Sequence, residues 1–206
     1  MPNRAQMLVW EAPDDPEVRT ELIDAALAVA DEEGLEAVSV RRVGERVGRR
    51  PMSLYTHIPS KDGLVALMFD RISADLLVPD PLPADGRWLL RAIATRAFET
   101  YLAHPWMLHA FGRRPAPGPN QLRRAEQLEA AAAAMGIAET DAWRAVTVVQ
   151  EWTMGHALHV VTLREDEPLA RALQDTDAAR RPAAFQESLA MILDAIQARY
   201  GHINEA

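Results

Sequence analysis

Apolar residues along this chain recur at helical spacing almost from end to end. The first clear stripe follows Asp15-Pro16, a cap residue with proline next, and places Leu22, Ile23, Ala26, Leu27 and Ala30 on one face before Gly34. Ser39 then reads as an N-cap for a short helix with Val40, Val43 and Val47 at i, i+3 and i+7, which Gly48 ends. Pro51 suits the first turn of another helix, where its missing N–H has no intrahelical partner, and Leu54 and Ile58 form that helix's inner face. Ser60 caps a further helix carrying Leu64, Val65, Met68, Ile72 and Leu76, and the run Pro79-Asp80-Pro81-Leu82-Pro83 stops it. That proline cluster is the best internal boundary.

Beyond the boundary the pattern predicts helices from about 86 to 103, 120 to 135, 139 to 164 and 182 to 200, with a short one near 168 to 178. A break at His104-Pro105-Trp106 and a proline-glycine loop over 114–119 separate the first of these from the second. No strand alternation and no fixed-period repeat appears, so the expected fold class is all-α. The segment 139–164 is apolar on nearly every side, with Trp143, Val146, Val149, Trp152, Leu158 and Val161 among its residues, and such a helix must be covered all round. The last helix also has a broad apolar face, from Phe185 to Tyr200. Together they predict a dimer interface, the alternative being a buried central helix in a monomer.

Charge sharpens the picture at one place. Residues 39–61 hold six Arg or Lys against one Glu, a local +5 in a chain of formal charge -8. An acidic protein with one basic segment is unsuited to coating nucleic acid nonspecifically and suited to binding it through one defined patch. In a helix-turn-helix the second helix enters the major groove with its N-terminal residues nearest the base edges. Arg50, Pro51, Met52 and Ser53 would take those places. Ser39, Arg41, Arg49 and Thr56 flank them, and Tyr55, His57 and Lys61 are better placed to grip phosphate, which positions a protein without reading sequence.

The remaining composition mostly excludes. At 206 residues the chain is long enough for one sizeable core, or one core with a small appended domain. The absence of cysteine removes disulfides, thiolate nucleophiles and cysteine zinc sites, and fits a reducing cytosol. No apolar run approaches the roughly 18 residues that span a bilayer, and Met7-Leu8-Val9-Trp10 is too short for a signal-peptide core, so a cytoplasmic location with no membrane partner is expected.

Leu54-Tyr55-Thr56-His57-Ile58-Pro59-Ser60-Lys61, following a glycine-turned helix pair and the link Glu33-Gly34-Leu35-Glu36-Ala37-Val38-Ser39, resembles the DNA-binding domain of the TetR family of bacterial transcriptional regulators. Gly44 departs from it, since the family usually has alanine there; a close helix crossing or simple tolerance would account for the glycine. Tyr101 to Leu108, Gly112-Arg113-Arg114-Pro115 and Trp152-Thr153-Met154-Gly155 resemble the ligand-binding and dimerisation domain of the family's tetracycline-repressor branch. The resemblance implies an N-terminal tail over 1–14, a helix-turn-helix domain over 15–61, a connecting helix over 62–78 and a ligand-binding and dimerisation domain over 84–203. It implies a homodimeric repressor, not an enzyme, that binds a palindromic double-stranded operator and is released by a small-molecule effector.

Carried across by position, Phe98, His109, Gln127, Trp143, Val146, Gln150 and His159 fall near the effector pocket, and Leu102, Phe111, Trp152 and His156 complete the candidate lining. In that branch the ligand is a drug–magnesium chelate, but a carboxylate that assists the metal corresponds here to His159, and a histidine of the fourth helix to Ser73. Magnesium prefers oxygen ligands, so a bulky aromatic or polycyclic effector without a metal or cofactor is expected. His156 and His159, at i and i+3, would serve zinc only if His109 or Glu151 joined them, and a metal-dependent helical enzyme built on that pair is the alternative reading.

Overall fold

The computed structural model describes residue 10 and residues 15–50, 54–58, 60–110, 117–162 and 181–201. Over these the secondary structure is helical, apart from one isolated β-bridge between Ile137 and Gly201. The chain divides into two compact units. The first comprises residues 1–75 and 104–123, the second residues 76–103 and 124–206.

In the first unit α1 (Pro16–Glu33) starts where Asp15, in extended conformation, accepts from Glu17 N and Val18 N, both at 3.1 Å. It buries Val18, Leu22, Ile23, Ala26, Val29 and Ala30. A single 3-10 turn (Leu35–Ala37) leads to α2 (Val40–Arg46), whose cap is Ser39 Oγ accepting from Arg42 N at 3.1 Å. Gly48 adopts φ +67°, a conformation costly for residues with a Cβ, and turns the chain after α2. The expected start of the next helix, Pro51 to Ser53, lies outside the described residues, but Ile58 N bonds to Leu54 O at 2.8 Å and closes one helical turn there. Leu54 and Ile58 are both buried, as the apolar spacing predicts.

Gly44 sits where these two segments cross. A Cβ at that position would lie 2.8 Å from Leu54 Cδ1 and 3.0 Å from Arg49 O, and Arg49 N bonds to Gly44 O at 2.9 Å. Of the two accounts of this glycine, the geometry is that of close approach.

Helix α3 (Lys61–Asp75) buries every residue from Gly63 to Phe69, so no face of that stretch is left to solvent. Phe69 meets Trp106 edge-on at 5.6 Å. Trp106 belongs to α5 (Trp106–Ala110), the element that follows the His104-Pro105 break. Asp31 Oδ1 on α1 accepts from Trp106 Nε1 at 2.8 Å and meets His104 Nδ1 at 2.7 Å, so His104 ends one helix and ties the next to α1. Asp70 is buried on α3, where its Oδ1 accepts from Asn120 N at 2.9 Å and Gln121 N at 3.1 Å, and its Oδ2 from Asn120 Nδ2 at 2.9 Å. A carboxylate at those amides satisfies donors that the first turn of the helix beginning at Pro119 leaves free.

The second unit is built from α4 (Gly86–Ala103), α6 (Pro119–Ala134, whose first residues belong to the first unit), α7 (Glu139–Thr162) and α8 (Arg181–Tyr200). Leu89, Leu90 and Ile93 from α4, Ala131 and Ala132 from α6, Val149 from α7 and Leu189 and Leu193 from α8 form its core. Gly86 starts α4 directly against the backbone of Ala131 and Met135, where a Cβ would collide. Polar ties join α4 to α8: Arg87 pairs with Asp194 at 2.8 Å, Arg91 Nε donates to Gln186 Oε1 at 2.7 Å, and Gln186 Nε2 donates to Thr95 Oγ1 at 2.8 Å.

Within a single chain α7 covers only part of its apolar surface, which departs from the alternative of a central helix buried in a monomer. It buries Ala145, Val146, Val149, Thr153 and Ala157, while Trp143 is 73% exposed and Val148 47% exposed. On α8, Met191 is 66% exposed. Hydropathy alone does not separate a helix enclosed by its own chain from one with an apolar face left open. The expected helix at 168–178 lies outside the described residues.

Candidate nucleic-acid interface and ligand cavity

The basic segment of the first unit is less naked than its charge count implies. Arg41 bonds Glu45 at 2.9 Å one turn on, Arg42 pairs with Glu33, and Arg46 grips both oxygens of Glu32 at 2.6 and 2.7 Å. Arg49 meets Glu21 at 2.9 Å, and Lys61 Nζ lies 3.2 Å from the Glu36 carbonyl and 3.8 Å from its carboxylate. Four of those five glutamates lie outside residues 39–61, and folding brings them alongside. The guanidinium hydrogen bonds from Arg46 and Arg42 hold the Glu32 and Glu33 carboxyls below the ordinary range, and Arg42 and Arg46 are raised in turn.

All of these pairs are at the surface, where an ion pair is weak and salt-screened, and where a phosphate can compete for the same guanidinium. Arg50, Tyr55 and Thr56 are exposed, Tyr55 by 51%. His57 is half-buried with Nδ1 enclosed and without a hydrogen-bond partner, so it offers less to a phosphate than Tyr55 does. Ser39 Oγ is already engaged as the α2 cap. Pro51, Met52 and Ser53 lie outside the described residues.

In the second unit a cavity of about 550 Å³ opens between α6 and α7. Trp143, Val146 and Gln150 line it with Leu128, Ala133 and Ile137, so three of the residues expected near a ligand meet there. Phe98, Trp152 and His156 come together elsewhere. Phe98 stacks on Phe185 at 4.2 Å, Trp152 stacks on Phe185 at 5.2 Å, and His156 touches Phe98, Trp152 and Phe185 at 5.2 to 5.5 Å. Phe185, on α8, is the residue about which this cluster is built, and sequence reasoning placed it only on an apolar helix face. Burial among the rings, then the neighbouring His159, pushes the His156 imidazole below its ordinary pKa.

Gln127 is buried in a different role, accepting from Val78 N at 3.0 Å and donating to Val78 O at 2.7 Å. Leu102 and His159 are exposed on helix surfaces, His109 is an exposed residue of α5 in the first unit, and Phe111 lies outside the described residues. Ser73 donates to Phe69 O at 2.8 Å. Among the described residues no three His, Asp or Glu side chains gather as a metal site, so nothing supports the zinc enzyme built on His156 and His159. No helix is long and apolar enough to cross a membrane, over the described residues.

A two-helix crossing with arginines on its outer surface, joined in one chain to a helical unit with a ligand-sized cavity, defines an all-α helix-turn-helix protein. The chain belongs to the tetR family of bacterial regulatory proteins: residues 22–68 match that family's N-terminal domain, and residues 80–183 match the tetracyclin repressor-like C-terminal domain. The HTH-type transcriptional repressor DrrR1 of Streptomyces coeruleorubidus is 33% identical over 148 residues, 71% of this chain and 54% of that protein. The tetracycline repressor protein class A from transposon 1721 of Escherichia coli is 28% identical over 196 residues, 86% of this chain and 89% of that one. ActR of Streptomyces coelicolor, solved in complex with actinorhodin, has the same fold with a TM-score of 0.74 at 21% identity, over 91% of this chain and 98% of that one. The match spans just over half the length of the first curated relatives, 54% and 57%.

Proposed function

We propose that this chain is a homodimeric, ligand-responsive repressor that binds a palindromic DNA operator and releases it when a small organic effector occupies the second unit. The observation that carries this is the Gly44–Leu54 crossing, which fixes the α2 segment against the next helical turn while Arg41, Arg49, Arg50, Tyr55 and Thr56 remain on the surface. Arg50, Pro51, Met52 and Ser53 are the proposed base-edge residues; Ser39, Tyr55, Thr56, His57 and Lys61 are the proposed backbone contacts. Arg41 and Arg49 exchange their glutamates for phosphates on binding, which weakens the complex as salt rises.

The proposed organisation is a tail over 1–14, a helix-turn-helix domain over 15–61, a connecting helix over 62–78 and an effector and dimer domain over 84–203. Trp143, Val148 and Met191, apolar and open to solvent on α7 and α8, support a second copy as the partner of those helices. The 550 Å³ cavity is within the size range of small-molecule sites and supports an effector with an apolar, aromatic body. Phe98, Leu102, His109, Phe111, Gln127, Trp152, His156 and His159 stay with Trp143, Val146 and Gln150 as the proposed effector-responsive set. The ligand acts by preferring the state that does not bind DNA, a coupling typically of about 1 to 3 kcal/mol. On this reading the protein works in the cytoplasm with the chromosome, as a regulator rather than an enzyme.

A gel-shift titration with DNA from upstream of the protein's own gene tests the reading. Saturable retardation by the intact chain, lost in Arg50→Ala, is expected; equal retardation of an unrelated sequence at the same salt contradicts it.

A further inference from the structure

One half-buried guanidinium in the second unit, that of Arg124, has no counter-charge among the described residues. Arg124 on α6 reaches into a narrow recess beneath α4 and α7, walled by Ile93, Ala97, Tyr101, Val149 and Gln150, with a free volume of about 10 Å³. Its Nε is shut off from solvent and makes no hydrogen bond. Its Nη1 donates to Gln150 Oε1 at 3.3 Å, at the long end for such a bond, and no described carboxylate forms an ion pair with it. Thr153 is already committed, its Oγ1 donating to Val149 O at 2.7 Å. Burial pushes the guanidinium below its ordinary pKa and the neighbouring Tyr101 phenol above its own, yet arginine stays protonated at neutral pH. A guanidinium desolvated without an anion is costly, and mutation normally removes such a group unless something it binds repays the cost.

The recess adjoins the larger cavity. Gln150 and Leu128 line both spaces. Gln150 therefore stands as a neutral acceptor at the position that a stronger one, entering from the cavity, would take. The Nε–Nη edge of a guanidinium matches the two oxygens of a carboxylate side-on, a geometry lysine cannot copy.

We propose that Arg124 is the anion-recognition residue of the effector site, and that the effector is an organic acid. Its carboxylate displaces the Gln150 amide oxygen from the guanidinium, and its apolar body lies in the cavity against Leu128, Val146 and Trp143. This rests on the ligand-responsive reading above and narrows it to a ligand class. The competing occupant is a single water, for which about 10 Å³ suffices.

The test compares 1-naphthoate with 1-naphthamide, equal in shape but only the first charged, binding to the full-length protein followed by tryptophan fluorescence and by calorimetry. A charge-assisted bond of this kind predicts a preference of at least about tenfold for the carboxylate. Arg124→Met should erase that preference, and Arg124→Lys should restore only part of it. Arg124→Met should also leave the melting temperature of the unliganded protein unchanged or raised, because it removes an uncompensated charge while keeping the length of the side chain. Equal affinity for the two probes, absence of saturable 1-naphthoate binding, or a preference that survives in Arg124→Met overturns the proposal. So does a fall of more than about 5 °C in Arg124→Met, the mark of a structural arginine satisfied by water. Gel shifts run on the same preparations separate the two claims: DNA retention without carboxylate preference sinks only this inference, and carboxylate preference without DNA retention sinks the repressor reading.

Discussion

Replacing Gly44 with alanine sets two effects of opposite sign against each other. In the middle of α2 (Val40–Arg46) alanine should gain about 1 kcal/mol from helix propensity. The new Cβ, however, falls 2.8 Å from Leu54 Cδ1 and 3.0 Å from Arg49 O. Leu54 is 1% exposed and has no solvent side to swing toward, so the helices must part. Overpacking of this kind costs about 1 to 3 kcal/mol, which leaves a net loss of about 1 kcal/mol. Urea unfolding of Gly44→Ala, Leu54→Ala and the double variant measures it. Leu54→Ala alone should cost about 2 to 5 kcal/mol, and the double variant should cost less than the sum by at least about 0.5 kcal/mol, because the Cβ then occupies space that leucine vacated. A Gly44→Ala protein more stable than wild type, with strictly additive effects, would refute the close-crossing argument and return Gly44 to mere tolerance.

Three further outcomes follow from named residues. Arg50→Ala and Tyr55→Ala should each abolish operator binding in gel shifts while size-exclusion chromatography still reports the dimer; a variant that loses both has merely failed to assemble, against the expectation. Lys61→Gln should weaken binding equally for all DNA sequences and reduce the slope of log affinity against log salt by about 0.9 per contact, or about 2 in a dimer; an unchanged slope removes Lys61 from the phosphate contacts. The imidazole of His156 is held below its ordinary value by burial and by His159, so on acidification the unfolded chain takes up this proton first. Stability should therefore decline as pH falls below about 6.5 and on through the folded-state value, and His156→Gln should flatten that part of the urea-midpoint profile between pH 8 and pH 5. An identical profile in the variant would show that the slope has another source.

The helices were legible because their signals are local. Asp15-Pro16, Ser39 and Gly48 act within one turn of themselves, and the structure finds each at the cap or turn its chemistry requires. What sequence left obscure depends on residues far apart in the chain. Glu21, Glu32 and Glu33 neutralise arginines of α2 and the residues after it only once α1 lies beside them, so a window sum overstated the free positive charge. Asp70 reads as one polar position on an apolar helix, and nothing near it in sequence announces Asn120 as its partner. Phe185 and Arg124 are opaque for the same reason: one becomes the centre of a ring cluster and the other an unpaired charge only when three helices converge. The all-round apolarity of 139–164 was legible as composition, but which side stays open on α7 is a property of its neighbours.

Hydroxyl-radical footprinting on the DNA upstream of the protein's own gene would show whether two recognition helices read it symmetrically. The account predicts two protected half-sites of inverted sequence, centred about 10 to 10.5 base pairs or a whole multiple of that apart, which disappear together in Arg50→Ala. A single unrepeated footprint, or protection that survives that substitution, would contradict it.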